Sequence, residues 1–157
     1  MSELRELLTA AGYRDVRTYL QSGNVLLTGD GVPDQLAREL ELQLRDRFAL
    51  DVDVVVRTRE ELAAIVAGDP LGDIVEDPRR YQVSFLASEL DFAVAERIAA
   101  AAVAPEAVAV AGREIFAWHP DGIIRSPLAK VLADPKLGAT ARNWNTVTTL
   151  LELANAG

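Results

Sequence analysis

Two short stretches of this 157-residue chain gather side chains suited to holding a polar ligand. Gln21-Ser22-Gly23-Asn24 offers two carboxamides, a hydroxyl, and backbone N–H groups that a glycine lets a ligand approach closely. Carboxamides donate and accept without carrying charge, so this set suits a neutral polar or nucleotide-like partner. Turn chemistry alone also asks for Gly-Asn, since a tight hairpin needs a residue at positive φ. On that account Gln21 and Ser22 are simply solvated. Arg142-Asn143-Trp144-Asn145-Thr146 stands at the expected start of the last helix, where backbone amides and the helix dipole favour an anion and Arg142 could add a bidentate grip. The competing structural account makes Asn143 the N-cap, Trp144 a core anchor, and Asn145 and Thr146 first-turn residues making local bonds. The candidate ligand-binding residues are therefore Gln21, Ser22, Gly23, Asn24, Arg142, Asn143, Asn145 and Thr146.

Other constellations make a weaker case. His119, the single imidazole, falls in the turn after a strand with Pro120-Asp121-Gly122, where a solvated ring is expected. Ser126 and Lys130 have the spacing of a nucleophile pair, but Ser126 precedes Pro127 and suits an N-cap, which leaves Lys130 solvated. Asp69, Asp73, Glu76 and Asp77 lack the spacing of a calcium loop and read as a solvated acidic loop. Asp51 and Asp53 share a strand face without a visible third partner. No cysteine is present, which removes thiolate nucleophiles, disulfides and zinc-thiolate sites. Walker A, dinucleotide-binding and nucleophile-elbow patterns do not occur. No catalytic residue, metal or cofactor is expected.

The elements that must position these residues follow from periodicity. Leu4, Leu7, Leu8 and Ala11 repeat at helical spacing before Gly12. Val16 to Gln21 and Val25 to Thr28 are β-prone runs around Ser22-Gly23-Asn24, which predicts a hairpin. Pro33 and Asp34 open a helix carrying Leu36, Leu40, Leu44 and Phe48. Asp51 to Val56 alternates and then turns apolar, predicting a strand. Thr58 and Glu61 form a capping box for a helix to Ala67, and the Asp-, Gly- and Pro-rich loop 68–78 follows. Beyond it come a strand at Tyr81 to Ala87, a helix from Asp91 to about Val103, strands at Ala107 to Val110 and Glu114 to Trp118, a short helix from Pro127 to Leu132, and a last helix from about Asn143 to Ala154.

The expected fold is α+β in one domain, residues 1–157, with half-units at about 1–67 and 79–157 joined by the loop 68–78. Each half-unit matches part of a ferredoxin-like β-α-β-β-type unit; the first lacks its opening strand and the second carries extra C-terminal helices. In that arrangement the first strand lies between the third and fourth, so its absence takes a central partner from the sheet: either the two remaining strands close up, the sheet is completed from elsewhere, or, the favoured expectation, a strand precedes Met1.

Charge narrows the partners. A formal net charge of −8 repels phosphate backbones and argues against general nucleic-acid binding. The balance is uneven: residues 1–112 hold 11 basic against 20 acidic side chains, residues 113–157 hold 5 against 4, so an anionic ligand favours the C-terminal third. Fourteen of the 16 basic residues are Arg. No apolar run approaches the roughly 20 residues needed to span a bilayer, and no leader pattern opens the chain, which predicts a cytoplasmic protein without membrane association.

The segments Thr18-Tyr-Leu-Gln-Ser-Gly-Asn24, Gly112-Arg-Glu-Ile-Phe116, Pro120-Asp-Gly122 and Ala141-Arg-Asn-Trp-Asn-Thr-Val147 resemble, in matching order, the bacterial family called domain of unknown function 1697. The first and last are the specific ones. Members of that family usually begin with an extra strand and a Gly-rich turn carrying an Arg, ahead of the helix that opens this chain. The resemblance implies an α+β fold with ferredoxin-like units and implies no activity. Three functional expectations follow: a module binding a small polar or anionic ligand through the 21–24 turn and the 142–146 helix start; an enzyme whose site needs an N-terminal segment; or a structural protein that assembles with its own copies.

Overall fold

The computed structural model describes residues 2–19 and 23–156. Gln21 and Ser22, and with them part of the expected hairpin turn, lie outside the described residues. Helix α1 (Ser2–Ala10) buries Leu8 and leads into β1 (Arg14–Tyr19), which pairs antiparallel with β2 (Asn24–Thr28), Tyr19 facing Asn24. Gly23, just ahead of β2, has a φ of +87°, a left-handed backbone that glycine adopts without a Cβ clash. Helix α2 (Pro33–Phe48) starts on its proline and stops where Ala49 turns left-handed.

Residues 51–56, expected as a strand, join no sheet. Alternation describes which faces a strand would present, but a strand also needs a ladder neighbour. Here the Val54 amide donates to Glu41 Oε2 at 2.8 Å, and its carbonyl accepts from Arg38 at 3.3 Å. Side chains of α2 thus take the place of a ladder. The capping box at the head of α3 (Arg59–Gly68) forms as expected: the Glu61 amide donates to Thr58 Oγ1 at 3.1 Å and the Thr58 amide to Glu61 Oε1 at 2.9 Å.

The rest of the chain runs β3 (Tyr81–Phe85), α4 (Phe92–Ala101), β4 (Ala107–Ala111), β5 (Glu114–Trp118), α5 (Pro127–Leu132), β6 (Thr140–Asn143) and α6 (Trp144–Ala156). The four strands form an antiparallel sheet in the order β4-β5-β3-β6. Strand β6 was not expected. Its residues Thr-Ala-Arg-Asn, at a sheet edge, carry no apolar alternation. Its presence lengthens the second segment from β-α-β-β to β-α-β-β-α-β, and it puts Arg142 and Asn143 at a strand end, with the helix beginning at Trp144.

Both faces of this sheet are covered. Tyr81, Val83, Phe85, Phe116 and Trp118 pack with Ile65 of α3 and Val147 of α6. The alternate residues Ile115 and Ala117 pack with Ile98 of α4 and Leu128 of α5. Double burial explains why Ile115 to Trp118 reads as an unbroken apolar run. Residues 2–56 are packed far more thinly: among the described ones only Leu8, Asn24 and Ala37 are buried.

Candidate functional site

Strand β6 sets Arg142 opposite Val83, on the sheet face covered by α3 and α6. Its side chain crosses to the hairpin. Arg142 Nε donates to Asn24 Oδ1 at 2.7 Å, and Nη1 donates to the Ala141 carbonyl at 2.7 Å. Asn24 is 7% exposed, and its Nδ2 donates to the Tyr19 carbonyl at 3.1 Å, across the hairpin. The guanidinium also rests against the turn, with Nη2 4.0 Å from where a Cβ on Gly23 would stand. Burial lowers the Arg142 pKa from its ordinary value, though an arginine stays charged at neutral pH.

The remaining candidates divide. Asn143 Oδ1 accepts the Thr146 amide at 2.9 Å, an N-cap bond in the first turn of α6, and Thr146 is buried. Asn145 is exposed. Trp144 stacks on Tyr81, ring centroids 5.0 Å apart. The structure therefore brings Gly23, Asn24 and Arg142 together, with Asn143, Asn145 and Thr146 on the adjoining helix start.

Sequence reasoning missed Arg17. Its Nη2 donates to the Leu153 carbonyl at 3.0 Å, one of the last four carbonyls of α6, which have no partner inside the helix. An arginine amid a hairpin strand was the only available signal, and nothing in its spacing pointed to α6. Arginines thus tie the hairpin at two places, Arg17 to the end of α6 and Arg142 from the end of β6.

His119 is not solvated but 1% exposed, and this corrects the expectation. Its backbone amide donates to the Arg80 carbonyl at 3.0 Å, which continues the pairing of β5 beside β3 and draws the ring inside. His119 Nδ1 lies 2.7 Å from Glu106 Oε2, the oxygen that also accepts the Ser126 hydroxyl at 2.5 Å. Ser126 Oγ in turn accepts the Ala129 amide at 3.0 Å and caps α5. With its hydroxyl donating to Glu106 and its oxygen accepting the Ala129 amide, Ser126 is arranged as a cap and not as a nucleophile toward Lys130. In the acidic loop, Asp69 accepts the Tyr81 hydroxyl at 2.6 Å, and Asp77 accepts the Arg79 amide at 3.0 Å. Burial, with the Asp69 carboxylate beside it, raises the Tyr81 pKa well above its ordinary value. Among the described residues no group of three or more His, Asp or Glu gathers to hold a metal ion. None of their helices is long and apolar enough to cross a membrane.

Fold and junction define a mixed α/β protein of two antiparallel sheets, with polar contacts from the hairpin to β6 and to the last helix. The chain belongs to the family described as protein of unknown function (DUF1697), whose model matches residues 1–116. Its fold is that of the conserved bacterial protein SP0830 from Streptococcus pneumoniae, with a TM-score of 0.81 at 21% identity, covering 99% of this chain and 88% of that one. No curated protein matches the sequence.

Proposed function

We propose that this protein binds a small polar or anionic ligand at the junction of the hairpin turn and the head of α6. The observation that supports this is the 2.7 Å bond from Arg142 to Asn24, which joins residues 118 apart in sequence. It brings a guanidinium, a carboxamide, an exposed glycine backbone and the first turn of a 13-residue helix to one place. Asn24 fixes the orientation of Arg142, so less side-chain freedom is lost when a ligand arrives. The helix start adds a favourable field for negative charge.

A second account has its own observation. Asn24 is buried and uses both ends of its carboxamide within the protein, and Asn143 is engaged as a cap. On this account the junction is a structural tie only. Titrating wild type and Arg142→Gln with inorganic phosphate, acetate and adenosine monophosphate, followed by amide NMR shifts and thermal melting, separates the two. Binding predicts saturable shifts at residues 23–24 and 144–147 that weaken at least about tenfold in a folded Arg142→Gln variant. No saturation in wild type, with Arg142→Gln losing stability alone, establishes the tie instead.

A further inference from the structure

On the opposite face of the four-stranded sheet, α4 and α5 border an open groove of about 710 Å³. Arg97 of α4, Lys130 of α5 and Lys136 of the 3-10 turn Pro135–Leu137 line it. These include both lysines of a chain whose formal net charge is −8. All three side chains are exposed, and none of them enters an ion pair among the described residues. The one carboxylate on the groove, Asp134, turns an oxygen back into its own turn to accept the Lys136 amide at 3.0 Å. Beneath the charges the lining is apolar: Val94, Ile98, Val131 and Leu137, with Ile98 fully buried.

Three exposed cations line one groove with no ion pair among the described residues, and a bound anion would offset their mutual repulsion. The volume lies within the few hundred to roughly 1,000 Å³ usual for small-molecule sites. We infer that this groove binds a soluble organic phosphate with an apolar body. A phosphate monoester carries about −1.5 to −2 charges near neutral pH, close to the balance of three cations and one carboxylate around the groove. Its oxygens take the guanidinium and ammonium donors, and its body covers the partly exposed Val94, Val131 and Leu137. An inorganic ion would use only the first of these, and an uncharged aromatic only the second. The inference goes beyond the junction site and stands or falls apart from it.

The test uses phenyl phosphate, inorganic phosphate and phenol on the full chain at low salt, followed by calorimetry and amide NMR. Phenyl phosphate is expected to saturate with a dissociation constant at or below about 1 mM, shifting amides of residues 94–98 and 130–137. Inorganic phosphate is expected to bind at least about tenfold more weakly, and phenol not to saturate. The exposed double substitution Lys130→Ala/Lys136→Ala is expected to weaken phenyl phosphate by about tenfold or more, and Arg142→Gln to leave it unchanged. Should the double variant unfold, Arg97→Gln is expected to weaken binding in the same direction. Any of four results overturns the inference: no saturation, equal affinity for inorganic and phenyl phosphate, unchanged affinity in the folded groove variants, or adherence to phosphatidic acid vesicles without binding of phenyl phosphate.

Discussion

Breaking the bond between Asn24 and Arg142 should cost measurable stability, and a double-mutant cycle isolates how much. The Arg142 guanidinium is charged and half-buried, and Asn24 is 7% exposed, so the 2.7 Å bond belongs with hydrogen bonds to charged groups, worth about 1.5–3 kcal/mol. Partial exposure of the arginine places the expected coupling at the lower end, about 1.5 kcal/mol. Asn24→Ala should cost more than this, about 2–3 kcal/mol, because it also removes the donor to the Tyr19 carbonyl. Arg142→Ala loses the same bond and its short bond to Ala141. The double variant should then fall short of the summed single costs by the coupling. Urea unfolding of the four proteins measures it, with constant slopes as the check on two-state behaviour. A chain of this size shifts its melting temperature by about 2–4 °C per kcal/mol, so calorimetry gives an independent reading. A coupling under about 0.5 kcal/mol, the scatter of unrelated sites, would refute the claim that the hairpin is held through this pair.

Three further outcomes follow from the contacts. Arg57, 7% exposed, pairs with Glu114 at 2.9 Å and donates to the Leu86 and Arg113 carbonyls at 2.7 and 3.1 Å; Arg57→Ala should cost about 3 kcal/mol or more in urea unfolding, and a loss below about 1 kcal/mol would show the pair to be dispensable. Tyr81 keeps its proton in the native state to higher pH than in the unfolded chain, so the stability it contributes is complete below the ordinary tyrosine pKa of about 10 and declines as pH rises beyond it. Asp69→Asn, by removing the neighbouring carboxylate, should shallow that decline in urea titrations at successive alkaline pH values, and an unchanged decline would assign it to other groups. Amide hydrogen exchange should be faster across β1 and β2 than across β3 and β5, since a lone two-stranded sheet with few buried side chains opens more easily; equal protection would contradict the packing difference.

The legible parts of the fold were those whose signal is local. Thr58 and Glu61 form their capping box because both partners lie within one turn, and α2 follows its proline and its four-residue apolar repeat. The strand at 51–56 misled because alternation says nothing about whether a neighbour exists to complete a ladder. Strand β6 was invisible for the converse reason: its place depends on β3 offering Phe85 to Gln82, and its own four residues carry no pattern. His119 shows the same limit, since a ladder bond to Arg80, 39 positions away, decides that the ring is buried. At the junction, the residue types at 23–24 and 142–146 were readable, whereas Arg17 gained its role only once the last turn of α6 brought the Leu153 carbonyl beside it.

These contrasts bear on where recognition can reside. The four-stranded sheet is covered on both faces and contributes a frame, not an opening. Attached to it are a thinly packed hairpin, joined to α6 by Arg17 and to β6 by Arg142, and a groove where α4, α5 and a 3-10 turn meet. At the first the arginines are engaged with carbonyl and carboxamide oxygens, so a ligand must work with a hydrogen-bond network already formed and would act on the hairpin as well as on itself. At the second the cations are exposed and enter no ion pair among the described residues, so an anion arrives without breaking such a pair, and its grip weakens as salt screens the charges. A ligand held at the junction therefore couples to hairpin stability, while one held in the groove does not.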